Sequence, residues 1–284
     1  MLLYALMIIG GAVMVYALLK YKQGYPWGKP VAVVAALFTL VLAFGNIFST
    51  GGPDAQKMSE RNQRYQEVAA EKLGAHLAAE YPDAKTVILS HMDYSKIQSG
   101  NETEPPAAIA KIKAQEEALL KGADEGLDVV KIIHPEIPEE TLERMQPPES
   151  EGAEEEMIDP MIMEEMGTMM EAADYNEMLD DELDDCELFV MLTDPPYEVE
   201  KLKLWRMDNP PKTAFLSPSV LDKLEKAVKQ GFVVAIVSHN PDADYSMEDS
   251  VPKKLDEAFD ERYILITPDN LDELSSKHEN LFSR

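Results

Sequence analysis

Two uncharged apolar runs constrain this chain more than any other feature: residues 2–19, LLYALMIIGGAVMVYALL, and residues 31–48, VAVVAALFTLVLAFGNIF. At ~1.5 Å rise per residue, each run, if helical, covers roughly the ~30 Å hydrocarbon core of a bilayer. Inside lipid every backbone polar group must be satisfied within the segment, so the pair is expected as a two-helix transmembrane hairpin over residues 1–50. No basic residue precedes the first run and its positive charges follow it, which is the reverse of a cleaved signal peptide. The connector 20–30, KYKQGYPWGKP, carries Lys20, Lys22 and Lys29 beside Tyr21, Tyr25 and Trp27. Lysines and amphipathic aromatics of this kind belong at an interface, and short lysine-bearing connectors stay in the cytoplasm. Lys57, Arg61 and Arg64 pull the other way. The uncharged N-terminus and the compact connector favour an extracytoplasmic C-terminal part, anchored in a bacterial-type plasma membrane.

Charge is divided as sharply as hydropathy. The first 49 residues hold no Asp or Glu and only those three lysines, so all 53 acidic residues and 23 of the 26 basic ones lie beyond them. Residues 50–284 therefore carry a formal charge of −30. Such a surface repels phosphates, which excludes nucleic acid as a partner, and it repels anionic headgroups, so lipid contact is expected through residues 1–50 alone. The single cysteine, Cys186, permits no intrachain disulfide; a buried thiol packing as a small apolar group is the simpler expectation.

After the Thr50–Pro53 hinge, Met58, Tyr65, Ala69, Leu73, Leu77 and Tyr81 recur at spacings of four or seven, which predicts a stalk helix over 54–82 with Asp54 as N-cap. Beyond it, apolar runs alternate with amphipathic stretches. Strands are expected at Thr86–Ser90, Val129–Ile133, Leu188–Leu192, Thr213–Leu216, Phe232–Ser238 and Tyr263–Ile266. Helices are expected at 106–122, 160–181, 198–206, 218–230, 248–260 and 269–282. Ser217-Pro218 and Asp159-Pro160 supply N-cap and first-turn pairs, and Gly122 and Gly231 suit helix ends. Strands without polar alternation, separated by helices, point to an α/β fold: one doubly wound, mainly parallel sheet with helices on both faces, over 84–284. The stretch 136–187 interrupts this rhythm with 21 acidic residues, one basic residue and eight of the sixteen methionines. Its second half, 160–181, is expected as a methionine-rich acidic helix that packs on the sheet or meets a protein partner.

The succession TVILS, AAIAKIKAQEEALLKGADEG and LDVVKII resembles the opening βαβ unit of one lobe of a type I periplasmic binding protein, over roughly 84–240. The resemblance implies a doubly wound lobe and a binding role. Such a protein has two lobes and this chain has room for one, so no ligand residues follow from the likeness.

Chemistry-bearing side chains fall just after the expected strands: His91, Asp93, His134, Asp194, His239 and Asp242. In an open parallel sheet the loops at the carboxyl ends of the strands form the usual ligand site. A divalent metal held by these His and Asp residues, activating water, is the enzymatic alternative; turn chemistry alone also places Asn, Asp and Pro there. Asp194-Pro195-Pro196-Tyr197 is similar to the DPPY signature of amino-group methyltransferases, but the glycine-rich turn that such cofactor binding needs is missing. No P-loop, GxGxxG, GxSxG or CxxC occurs, and no cofactor is expected. The sequence thus favours a membrane-anchored, non-catalytic recognition or scaffolding domain for a protein partner or small ligand.

Overall fold

The computed structural model describes Lys20 and residues 53–91, 107–136, 170–245, 250–279 and 281–282. Two compact units divide the chain, residues 1–61 and 62–284. The two apolar runs, 2–19 and 31–48, lie outside the described residues, as do Asp93, the Asp159-Pro160 pair and the first part of the methionine-rich stretch. Among the described residues no helix is long and apolar enough to cross a membrane.

The elements follow one another as α1 (Pro53–Glu80), β1 (Lys85–Leu89), α2 (Ala107–Ala123), β2 (Asp128–Ile133), α3 (Ala172–Met178), β3 (Leu188–Met191), β4 (Lys212–Leu216), α4 (Leu221–Lys229), β5 (Val233–His239), α5 (Leu255–Arg262), β6 (Tyr263–Ile266) and α6 (Leu271–Lys277). Two 3-10 turns, Val199–Lys201 and Lys203–Arg206, stand between β3 and β4, where one amphipathic helix was expected. The strands form one sheet in the order β2-β1-β3-β4-β5-β6. Every pairing is parallel except β5 with β6. This is the doubly wound, mainly parallel sheet that the unbroken apolar runs imply: β3 and the last four residues of β1 and β4 are buried on both faces.

One apolar layer joins Val87, Leu89, Phe189, Met191 and Phe215 to α3, the 3-10 turns, α4 and α6. The opposite layer joins Ile88, Leu188, Val190, Ala214 and Ala235 to α1, α2 and α5. Alternate strand residues thus enter opposite cores, as the period-two pleat requires. The stretch of α1 from Tyr65 to Leu77 belongs to the second core: Tyr65, Val68, Ala69, Ala70, Leu73 and Leu77 are buried. Its apolar stripe packs on the domain itself.

Glycine sets how closely α1 and α2 cross. A Cβ on Gly74 would lie 2.1 Å from the Leu119 carbonyl oxygen, and one on Gly122 would lie 1.9 Å from that of Glu71. Gly122 therefore serves the helix crossing rather than the helix end, and α2 runs on to Ala123 before Asp124 and Glu125 turn the chain through positive φ. Gly231, at φ 69°, does take the left-handed conformation just past α4. Ser217-Pro218 departs from its expected capping role. Ser217 has φ 51° and donates its N–H to the Val237 carbonyl at 2.8 Å, and α4 begins only at Leu221. A positive φ is not the extended conformation of an N-cap residue, and the Ser217 N–H is spent on the sheet, so the helix starts further along.

Candidate functional site

The order β2-β1-β3 means that the chain leaves β1 toward one side of the sheet and returns on the other. Between β1 and β3 the loops at the carboxyl edge diverge, and this switch point is where open α/β sheets hold ligands. His91 follows β1, His134 follows β2 and Asp194 follows β3, so three of the six residues singled out in the sequence gather here.

Helix α2 ties two of them together. His91 Nε2 donates to Gln115 Oε1 at 2.9 Å, which fixes the proton on Nε2 and leaves Nδ1 as an acceptor. His134 Nδ1 lies 3.4 Å from the His91 carbonyl oxygen and 3.6 Å from Glu116 Oε1. Glu116 in turn accepts a short hydrogen bond from the buried hydroxyl of Ser90. Burial pushes the His91 pKa below its ordinary value, outweighing the Gln115 hydrogen bond and the nearby Glu116 and Asp194 charges that favour the imidazolium. His91 is thus a neutral, oriented imidazole at neutral pH.

Asp194 is held by its surroundings. Its Oδ1 accepts the Ser219 N–H at 2.6 Å and its carbonyl oxygen accepts the Tyr175 hydroxyl at 2.8 Å. Pro195 and Pro196 are buried, while Tyr197 is 72% exposed with the Lys223 ammonium over its ring. The DPPY segment is therefore a rigid loop end whose aromatic ring faces solvent.

His239 and Asp242 sit elsewhere. β5 stands three places from β1, so His239 starts ~14 Å from His91 at ~4.8 Å per strand. Its ring stacks on Tyr263 with centroids 5.2 Å apart, and burial, followed by the Arg262 charge, lowers its pKa. Asp242 lies in the turn after β5, 3.8 Å from His278 Nδ1 and 3.7 Å from Lys277 Nζ. Among the described residues no group of three His, Cys, Asp or Glu side chains could hold a metal ion.

Gln115 and Glu116 were not foreseen. The signal was there: Leu119 and Ala123 are buried on the inward side of α2, and Glu116, one turn earlier, puts a carboxylate where the pattern calls for an apolar group. Nor were Tyr245, Arg262 and Tyr263, which cluster at the other end of the edge.

No protein-family model matches the chain, and no curated protein matches it. Among solved structures it is similar to a sugar-transport substrate-binding protein of Bordetella parapertussis (14% identity, TM-score 0.35, covering 61% of this chain and 41% of that one). It is also similar to an arabinose-binding protein of Geobacillus stearothermophilus (10%, 0.39, 73% and 62%). A third likeness is to a carbohydrate solute-binding protein of Agrobacterium radiobacter solved with D-arabinose (12%, 0.41, 78% and 63%). The chain thus spans about two fifths to somewhat over three fifths of their lengths.

Proposed function

We propose that the chain is a membrane-anchored, extracytoplasmic recognition domain that binds a small neutral polyhydroxylated ligand between β1 and β3 without transforming it. The observation that carries this is the convergence of His91, Gln115, Glu116 and His134 at the switch point of the sheet, each held by a neighbour. Preorganised groups of this kind bind without the ordering cost that flexible ones incur. A neutral imidazole, an amide and a carboxylate offer mixed donors and acceptors, which hydroxyl groups answer because each both donates and accepts. The charge of −30 on residues 50–284 disfavours a phosphorylated ligand.

Catalysis is not favoured by the same geometry. The Ser90 hydroxyl is fully buried against Glu116, and Asp194 spends one carboxylate oxygen on a backbone N–H. Anchoring rests on the two apolar runs of the sequence, and the outward orientation on the lysines between them. Histidine-ring NMR of the full chain titrated with neutral sugars and polyols tests the binding role: saturable shifts at His91 and His134 support it, and their absence across the panel opposes it.

A further inference from the structure

We propose that Arg262 is the floor of a second site, for a small organic monocarboxylate, at the β5–β6 end of the same sheet edge. Arg262 closes α5 and is only 8% exposed. Its guanidinium carbon lies 4.4 Å from the centroid of the Tyr65 ring and 4.8 Å from that of Tyr245. The Nε atom is buried without a hydrogen-bond partner. Among the described residues no carboxylate forms an ion pair with it, and the adjacent Glu261 instead accepts the Tyr65 hydroxyl at 2.8 Å.

In a chain with 53 acidic residues against 26 basic ones, a buried arginine with no carboxylate is the exception that calls for a cause. Buried charges are as a rule paired, because an unpaired one loses its hydration without return. The two aromatic faces, a side-chain hydrogen bond to Tyr65 and the C-terminal end of α5 offset part of that loss. None of them accepts a hydrogen bond from Nε.

The chemistry of the missing partner follows from the group itself. A guanidinium is a planar fork whose donors match the two oxygens of a carboxylate. Tyr245, 47% exposed, and the exposed His239 stand at the rim with Tyr245 Oη 3.5 Å from His239 Nδ1, placed to orient a ligand body. The acidic surface opposes anions at long range, but beyond ~8 Å that field is screened at physiological salt, whereas contact with a dry guanidinium is not. The same surface makes a single negative charge the better fit than a phosphate dianion. This site does not depend on the one proposed between β1 and β3, which stands ~14 Å away along the sheet.

The test is an NMR titration of the full chain, reading the Arg262 Nε–Hε resonance at constant ionic strength. Acetate and benzoate are the probes, with acetamide and benzamide as neutral isosteres. Both carboxylates are expected to shift the resonance saturably, and the amides to bind at least about tenfold more weakly, as the loss of one charge-assisted pair requires. Tyr245→Ala, at an exposed position that leaves the core intact, is expected to weaken carboxylate binding, and Arg262→Lys to weaken it while keeping the charge. The proposal is overturned if neither carboxylate gives a saturable shift. It is equally overturned if amides bind as well as carboxylates, or if Tyr245→Ala leaves the affinity unchanged. His91 and His134 report on the other site, so failure here leaves that one standing.

Discussion

Replacing Gly122 by alanine tests how the α1–α2 crossing is built. Alanine is the better helix former by ~1 kcal/mol, so at an open helical position the change would stabilise. Here the added Cβ would lie 1.9 Å from the Glu71 carbonyl oxygen, 2.7 Å from its carbon and 2.9 Å from its Cα. All three are backbone atoms, so no rotamer change relieves the contact, and the helices must separate. Overpacking of this kind costs ~1–3 kcal/mol, and the upper end applies when only backbone can yield. Subtracting the propensity gain leaves a net loss of ~2 kcal/mol, or a fall in Tm of roughly 4–8 °C for a unit of this size. Gly74→Ala, whose Cβ would meet the Leu119 oxygen at 2.1 Å, should behave alike, and the double variant should cost less than the sum because both relieve one crossing. Gly231→Ala is the contrast: nothing lies within 4 Å, and only its φ of 69° opposes the change, at about 1 kcal/mol. Urea or thermal unfolding of the full chain reads all four. A Gly122→Ala protein as stable as the parent would refute the close crossing.

Two further outcomes are expected. His76, His91 and His239 all have pKa values lowered chiefly by burial, so the unfolded chain binds their protons more readily than the folded one. Their contribution to stability is complete above the ordinary imidazole value of 6.5 and is lost as pH falls from there toward the lowered folded values; the urea midpoint should drop between about pH 7.5 and pH 5.5, and drop less in His91→Gln, whereas equal drops would contradict a neutral His91. A membrane-impermeant thiol reagent should label Ser283→Cys, made in a Cys186→Ser background, on intact spheroplasts; labelling only after lysis would reverse the orientation.

Much of the fold was legible because its strands are buried on both faces. Runs such as LFVML and FVVAIVS leave no polar alternation to confuse with a surface strand, and all six strands fall within a residue or two of where the runs lie. Helix ends were less legible wherever a tertiary contact took a residue away from its local role: Gly122 went to a helix crossing, and Ser217 to a sheet bond with Val237. The 198–206 stretch has amphipathic spacing but folds as two 3-10 turns, with the Trp205 indole nitrogen donating to the Val199 carbonyl oxygen at 2.6 Å. Strand order could not be read, since pairing is a property of distant segments. That order decides the site: it sets His91 beside His134 and Asp194 and leaves His239 three strands away. Gln115 and Glu116 escaped notice because a helix was read for its apolar stripe and not for the carboxylate that interrupts it.

Whether the β1–β3 edge recognises a ligand is read most directly from the histidine rings of the full chain. Neutral sugars and polyols, D-arabinose, D-galactose and myo-inositol among them, are titrated first, and Zn²⁺ afterwards in a separate sample. A recognition site predicts that at least one polyol shifts His91 and His134 together and saturably while His76, out on α1, stays still, and that Zn²⁺ draws no two of these rings into one site. If no polyol moves His91 or His134, and Zn²⁺ binds both rings at one-to-one stoichiometry, the edge is a metal centre and the recognition role is contradicted.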